Sequence, residues 1–266
     1  PYVYMVWLFW IGILVLIFVP FVNFRAPNIH EFLLLFVCSI LYFFGGFPYI
    51  KALTLEEPTR INVWWNLIPL YALSLEWLIL NKKLSSVELL AFCILIIGAL
   101  VASIRISKKV KFSKAIWYML VACGAYGLYA VLFGVLLQTM QFMIAFIWIN
   151  VFMALNASIT LFSSRFRKAM KNEYAKINRT TAGITFGVSM IDHTGILLNQ
   201  WALSLAPASL VFAFEGTQVV FVFTIASILS LFAPHLIKEE IDKKNILLKI
   251  LAISIMLIGT LVLTLR

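Results

Sequence analysis

The chain has 266 residues, of which 63% are apolar and 12% charged, against about 45–50% and about 25% in a soluble domain. No globular fold hides that much apolar surface from water, so lipid must cover it. A net charge of +10 would point to nucleic acid in a soluble protein; here the basic residues stand between apolar runs and read as orientation signals at a membrane surface.

A helix needs about 20 apolar residues to cross the hydrocarbon core. Nine runs qualify in chain order: 2–22, 31–50, 61–80, 88–104, 115–137, 142–163, 180–204, 209–232 and 246–265. The first has no basic stretch ahead of it and no small-residue cleavage site, so it reads as a span and not a signal peptide. Cys38, Cys93 and Cys123 lie inside apolar runs without Cys or His at ligand spacing, and read as small packing residues.

Polar residues deep in a span are costly, which makes them the first candidates for a site. On span 61–80, Asn62, Asn66, Pro69 and Glu76 share an arc of about 80°. Pro69 frees a backbone carbonyl and kinks the helix, as suits a cavity wall. Glu76 lies close to Lys82 and Lys83, so a snorkelling salt bridge is its expected fate. Trp64 and Trp65 are read as interfacial aromatics, with Trp65 as a pocket wall in the alternative. The turn before this span carries Lys51, Glu56, Glu57 and Arg60, expected to pair among themselves at the surface or to serve as a gate. Tyr126 and Tyr129, one turn apart on span 115–137, read as packing.

On span 180–204, Thr185, Ser189, Asp192 and Asn199 fall at i, i+4, i+7 and i+14 and cover one narrow face. Asp192 is a candidate proton or cation site. His193 points about 100° away and is a candidate titrating partner. Gly183 and Gly187 form a G-x-x-x-G, which predicts close helix packing. On span 209–232, Glu215 and Gln218 stand one turn apart, where a carboxylate can take a proton or meet a cationic substrate. Asn178-Arg179-Thr180 matches a glycosylation sequon but abuts a span. The sequence has no nucleotide-binding G-x-x-x-x-G-K, no H-E-x-x-H and no metal-ligand cluster, so no cofactor, metal or catalytic residue is expected, and transport would be secondary.

The chain repeats itself. At an offset of 150, Gly45 falls on Gly195, Ala52-Leu53-Thr54-Leu55 on Ala202-Leu203-Ser204-Leu205 and Thr59 on Ser209. Further on the offset is 161: Lys82-Lys83 falls on Lys243-Lys244, Ala91 on Ala252, Gly98 on Gly259 and Leu100-Val101 on Leu261-Val262. The extra residues fit a longer hairpin around 233–245. One repeat holds five spans, and an odd number places the two copies in opposite orientations. The fold class is therefore an all-α polytopic membrane protein, an inverted repeat of five-helix units. It has nine spans of an expected ten, the missing one lying upstream of Pro1. Residues 1–104 are the first repeat and 115–265 the second.

The stretch 45-GGFPYIKALTLEEPTRINVWWNLIPLYALSLEWLILNKKLSSVELLAFCILIIGALVAS resembles the drug/metabolite transporter superfamily in its EamA-type ten-helix branch. The likeness rests on "AL" at a helix end, a short polar turn, a helix with Asn66 and Pro69, a polar hairpin and a G-x-L helix at Gly98 and Leu100. Residues 202–223 through 257–265 fit the same plan. The resemblance implies a transporter, most simply an exporter of small metabolites, amino acids or drugs by alternating access, and not an enzyme. The alternatives are an intramembrane lipid-modifying enzyme and a non-transporting accessory protein. Expected partners are a small-molecule substrate, the lipid bilayer and a coupling proton or cation; nucleic acid is not expected, and a homodimer stays open. The candidate substrate or ion ligands are Asp192, Glu215, Asn199, Gln218, Asn66, His193, Asn62 and Trp65.

All but four of the 21 Lys and Arg fall in turns 51–60, 105–114, 165–179 and 238–249, which share one side; Arg25, Lys82, Lys83 and Arg266 lie opposite. The positive-inside rule then places loops 105–114 and 165–179 in the cytoplasm of a bacterial or archaeal plasma membrane and Arg266 outside.

Overall fold

The computed structural model describes residues 2–81, 85–102, 104–106, 110–175, 177–232 and 243–264. In chain order the helices are α1 (Tyr2–Ile11), α2 (Ile29–Leu53), α3 (Pro58–Trp65), α4 (Ile68–Leu80), α5 (Ser86–Ala102), α6 (Ala115–Leu136), α7 (Phe142–Ile159), α8 (Ser164–Tyr174), α9 (Arg179–Leu205), α10 (Ala208–Glu215), α11 (Gln218–Phe232) and α12 (Lys243–Thr264). A 3₁₀ segment, Gly12–Phe21, continues α1. The loop after α5 holds a two-stranded antiparallel ribbon, β1 (Ile104–Ile106) and β2 (Val110–Phe112), with Arg105 opposite Lys111.

Among the described residues seven stretches are long and apolar enough to cross a membrane: Val3–Phe21, Ile29–Leu53, Pro58–Leu80, Ala115–Leu136, Phe142–Phe162, Ala208–Ser230 and Ile246–Thr264. The other two predicted spans are also helices. α5 is 17 residues long, just short of the usual length. α9 is long, at 27 residues, but its polar stripe lowers its hydropathy. The protein is thus a helical, polytopic membrane protein. The hairpin predicted at 233–245 and the pair Lys82-Lys83 lie largely outside the described residues.

Local sequence explains the helix starts. Asn28 accepts a hydrogen bond from the Glu31 amide at 2.9 Å, and the Asn28 amide donates to the Glu31 carboxylate at 2.8 Å. Ser85 and Glu88 repeat this reciprocal box at the start of α5, with distances of 3.2 and 2.7 Å. Each box satisfies two otherwise orphaned amides.

The chain divides into two compact units, one of residues 1–47 and 132–206, the other of residues 48–131 and 207–266. In the first unit the 3₁₀ segment packs on α7, where Val15, Phe146, Ile147 and Ile196 are buried together. The Trp10 indole donates to Ser158 Oγ at 3.0 Å, tying α1 to α7. Asn156 Nδ2 donates to Ser39 Oγ at 2.9 Å, tying α7 to α2. Paired polar groups of this kind hold helices together where apolar contact alone gives no advantage over lipid.

In the second unit α5 lies along α12. A Cβ on Gly98 would stand 2.9 Å from the Met256 side chain, and one on Gly259 2.9 Å from Leu95. Shifting Gly98 and Leu95 by 161 positions gives Gly259 and Met256, so the contact maps onto itself. The two glycines let the backbones approach closely, as small residues do at interfaces in lipid. Gly127 brings α6 against α4 in the same way, 2.7 Å from Tyr71 Cβ and 3.3 Å from the Ala72 amide nitrogen by the same measure. Gly183 and Gly187 behave differently. Nothing described lies within 4 Å of a Cβ at either, so the G-x-x-x-G of α9 does not mediate the close packing predicted for it.

Candidate functional site

Two helices of the second unit are interrupted. α3 ends at Trp65 and α4 resumes at Ile68; α10 ends at Glu215 and α11 resumes at Gln218. The first break follows from Pro69, which has no amide hydrogen and whose ring conflicts with the carbonyl four residues back, that of Trp65. At the break the Asn66 amide turns to the Val63 carbonyl at 3.2 Å and the Leu67 amide to Trp64 at 2.9 Å. The second break has no proline. It centres on Gly216-Thr217, where the amides of Gly216 and Thr217 bond to Ala213 and Phe214, each at 3.1 Å. Both breaks therefore tighten to three-residue bonding and leave helix carbonyls without their usual partners.

The breaks meet. A Cβ on Gly216 would lie 2.2 Å from Asn66 Oδ1 and 2.9 Å from Thr260 Oγ1. Only a residue without a side chain allows this approach, and the glycine Cα–H can face the amide oxygen. Asn66 Nδ2 donates to the Val63 carbonyl at 3.2 Å, which turns Oδ1 toward Gly216. Asn62 Oδ1, Asn66 Oδ1 and Thr260 Oγ1 are all buried without a hydrogen-bond partner among the described residues. Acceptor oxygens in that state suit a ligand that brings N–H or O–H donors.

Trp65 stands beside this break, its ring 4.9 Å from Tyr49 and 5.0 Å from Tyr126 between centroids. It is half-buried, whereas Trp64 is fully buried and its carbonyl accepts a contact from Cys123 Sγ at 3.4 Å. Neither tryptophan behaves as a simple interfacial residue. Tyr126 belongs to the Trp65 cluster and Tyr129 is buried in packing. Glu215 is half-buried at the end of α10, and Gln218 is exposed at the start of α11.

Charged groups mark the outer ends of the interrupted helices. Glu76 is buried, and its two carboxyl oxygens accept the Ser209 amide and Ser209 Oγ, each at 2.9 Å. It thus serves the N-terminus of α10, where exposed amides and the helix dipole favour a carboxylate. These bonds run to a helix start 133 residues away, while the salt bridge expected with Lys82 or Lys83 lies outside the described residues. At the start of α3, Lys249 pairs with Glu57 at 2.5 Å and Arg60 with Glu56 at 3.5 Å. All four side chains are at most 10% exposed. The turn pairs as predicted, but it is buried and recruits Lys249 from α12. Lys249 and Arg60 are accordingly structural charges as well as basic residues of their turns.

The first unit holds the remaining candidates on α9. The stripe predicted there is not uniformly turned inward. Ser189 is buried, Thr185 and Asn199 are half-buried and Asp192 is exposed. His193 points inward instead. Its Nδ1 lies 2.9 Å from the Ser189 carbonyl and so carries a proton. Nε2 is buried without a partner among the described residues. A Cβ on Gly12 would stand 2.5 Å from this Nε2 and 2.9 Å from Asn150 Oδ1. Gly12 opens the 3₁₀ segment, so a glycine at that step lets the imidazole and the amide approach the backbone. Asn150 and Gly12 escaped the sequence reading; two glycine-dependent approaches were the missing signal, and neither is visible without the fold. An exposed carboxylate in the middle of a spanning helix needs water or a partner, which keeps Asp192 a candidate. Asn178 caps α9 by accepting the Thr181 amide at 2.7 Å.

Residues 1–104 match the model of the EamA-like transporter family. This stretch is similar to an EamA-like transporter domain. The match is to a family of membrane transporters and covers the first part of the chain. A solved crystal structure is similar over 100% of this chain and 87% of its own, with a TM-score of 0.62 at 15% identity, which extends the likeness in fold beyond the EamA-matched residues to the whole chain. No curated protein matches the chain significantly. Among the described residues no three His, Cys, Asp or Glu side chains gather as a metal site would require.

Proposed function

We propose that the protein is a secondary transporter that exports small polar metabolites, amino acids or drugs by alternating access. What supports the reading is the meeting of two interrupted helices at Asn66 and Gly216, with buried acceptor oxygens left over. Discontinuous helices that cross at related positions of a repeat are where such carriers bind their cargo. Asn62, Asn66 and Trp65, with Glu215 and Gln218 across the second break, are assigned to cargo binding. Asp192, His193 and Asn199 on α9 are assigned to proton or cation coupling. Loops 105–114 and 165–179 are assigned to the cytoplasm by their lysines and arginines.

The test is a panel of amino acids, polyamines, nucleosides and cationic drugs against the purified chain, followed by flux of any binder in liposomes. A true cargo raises the melting temperature by mass action, and Asn66→Leu removes both the rise and the flux. A binder whose effect survives Asn66→Leu unchanged sinks the assignment. Accessibility of a single cysteine placed at Lys171 to an impermeant thiol reagent checks sidedness; labelling from outside intact cells overturns it.

A further inference from the structure

The second unit carries a groove of about 500 Å³ between α4, α5 and the start of α6. Its floor and walls are apolar, with Leu67 just ahead of α4, Leu70 from α4, Phe92 and Ile96 from α5, and Trp117 and Leu120 from α6. Ser74 also lines it, but its hydroxyl donates to the Leu70 carbonyl at 2.8 Å and is satisfied within its own helix. The Tyr71 ring is held in place by Gly124 and Gly127 of α6. Among the described residues no carboxylate lines it.

The polarity is confined to one end, where Ser113 and Lys114 lead into α6. Lys114 is exposed, and Trp117 one turn further on is 70% exposed. Lysine followed by tryptophan at a helix start is the pattern of a membrane interface. The segment from Arg105 to Lys114 contains five basic residues and no acidic one. A trough that is apolar along its length and cationic at its mouth fits an amphiphile with an acyl chain and an anionic head.

We propose that this groove is a binding site for one anionic phospholipid, with the headgroup phosphate at Lys114 and Ser113 and an acyl chain lying between α4, α5 and α6. A zwitterionic lipid fills the same trough but gains less from the lysine. A basic residue near the surface contributes about fivefold to the preference for an anionic lipid, and salt screens it. The groove reaches the α3–α4 break at Leu67, but neither Asn66 nor Gly216 lines it.

Trp117 supplies the reporter. The full-length protein is reconstituted in phosphatidylcholine vesicles with increasing amounts of phosphatidylglycerol brominated on its acyl chains, or of phosphatidylcholine brominated alike. The Trp117 signal is the tryptophan fluorescence of the wild type minus that of Trp117→Phe. Brominated phosphatidylglycerol quenches it at about one-fifth the mole fraction that brominated phosphatidylcholine requires. Lys114→Gln brings the two lipids close together, and Ile96→Phe, which fills the trough without adding an indole, weakens quenching by both. Soluble glycerophosphoglycerol, a headgroup without chains, does not relieve the quenching. Equal quenching by the two lipids in the wild type overturns the proposal. So does full retention of the preference in Lys114→Gln, or relief by the soluble headgroup.

Discussion

Asn66 and Gly216 stand 150 residues apart at the two helix breaks of one unit, yet one brings an amide and the other no side chain at all. The helices they interrupt start at equivalent positions too, α3 at Pro58 and α10 at Ala208. Their surroundings differ again. Ser209 at the start of α10 is bound by Glu76, whereas the counterpart pair is Thr59 and Ala226, both buried and with no carboxylate at the second position. The start of α3 is instead flanked by two buried ion pairs, Glu57 with Lys249 and Glu56 with Arg60. The backbone repeats while the chemistry at equivalent points does not. A symmetric frame supplies two related positions, and unlike side chains make the two faces energetically different.

The strongest way to break this comparison is at Lys249. Lys249→Met leaves the Glu57 carboxylate buried without that ammonium and costs about 3–5 kcal/mol. It is read as a lowered melting temperature in detergent. The double variant with Glu57→Gln recovers most of the loss; no recovery would mean that Lys249 acts through something other than the pair.

The second effect is steric. Gly216→Ala drives a methyl against Asn66 Oδ1 and costs about 1–3 kcal/mol by overpacking. Combining it with Asn66→Ala restores stability but not flux, which separates the fit of the crossing from its cargo role. A Gly216→Ala protein as stable as the wild type would deny that the breaks meet.

Glu76→Gln ranks third. It keeps one acceptor for Ser209 and loses the favourable charge at the α10 terminus, at a cost of about 1–2 kcal/mol. Ala226→Glu, which copies the carboxylate into the counterpart position, does not compensate, because the α3 end already has its own ion pairs. The smallest change in stability, about 0.5 kcal/mol or less, belongs to the exposed Asp192→Asn. Its readout is functional: pH-driven flux disappears while the melting temperature holds. If Asp192→Asn transports normally under a proton gradient, Asp192 does not couple.

Much of this was visible in the residues alone. Hydropathy located the spans because lipid tolerates nothing else, and Pro69 announced an interrupted helix. The offset that sets Thr59 on Ser209 also sets Asn66 on Gly216, so the meeting of the breaks was within reach of the alignment. What could not be read was direction across the fold. Periodicity places Ser189, Asp192 and His193 on known arcs of α9, but it does not say which arc turns inward. Glu76 looked interfacial because Lys82 and Lys83 are its neighbours in sequence, whereas its bonds go to a helix start on the far side of the chain. Burial of Lys249 was equally hidden, since a lysine at a span end ordinarily snorkels.

The interleaving of the two units has a consequence for how the protein is made. Residues 48–131 pack with residues 207–266, and residues 1–47 with residues 132–206. A ribosome adding about 5–20 residues per second leaves roughly 4–15 s between the emergence of residue 131 and that of residue 207. Throughout that interval Asn66 has no Gly216 opposite it, and Glu76 has no helix terminus to bind. The nascent chain must therefore wait in the bilayer with polar groups exposed on half-built surfaces. This is the stage at which an insertase or chaperone has most to shield, and at which a slow codon or a destabilising substitution in the early helices does its damage before the protein is whole.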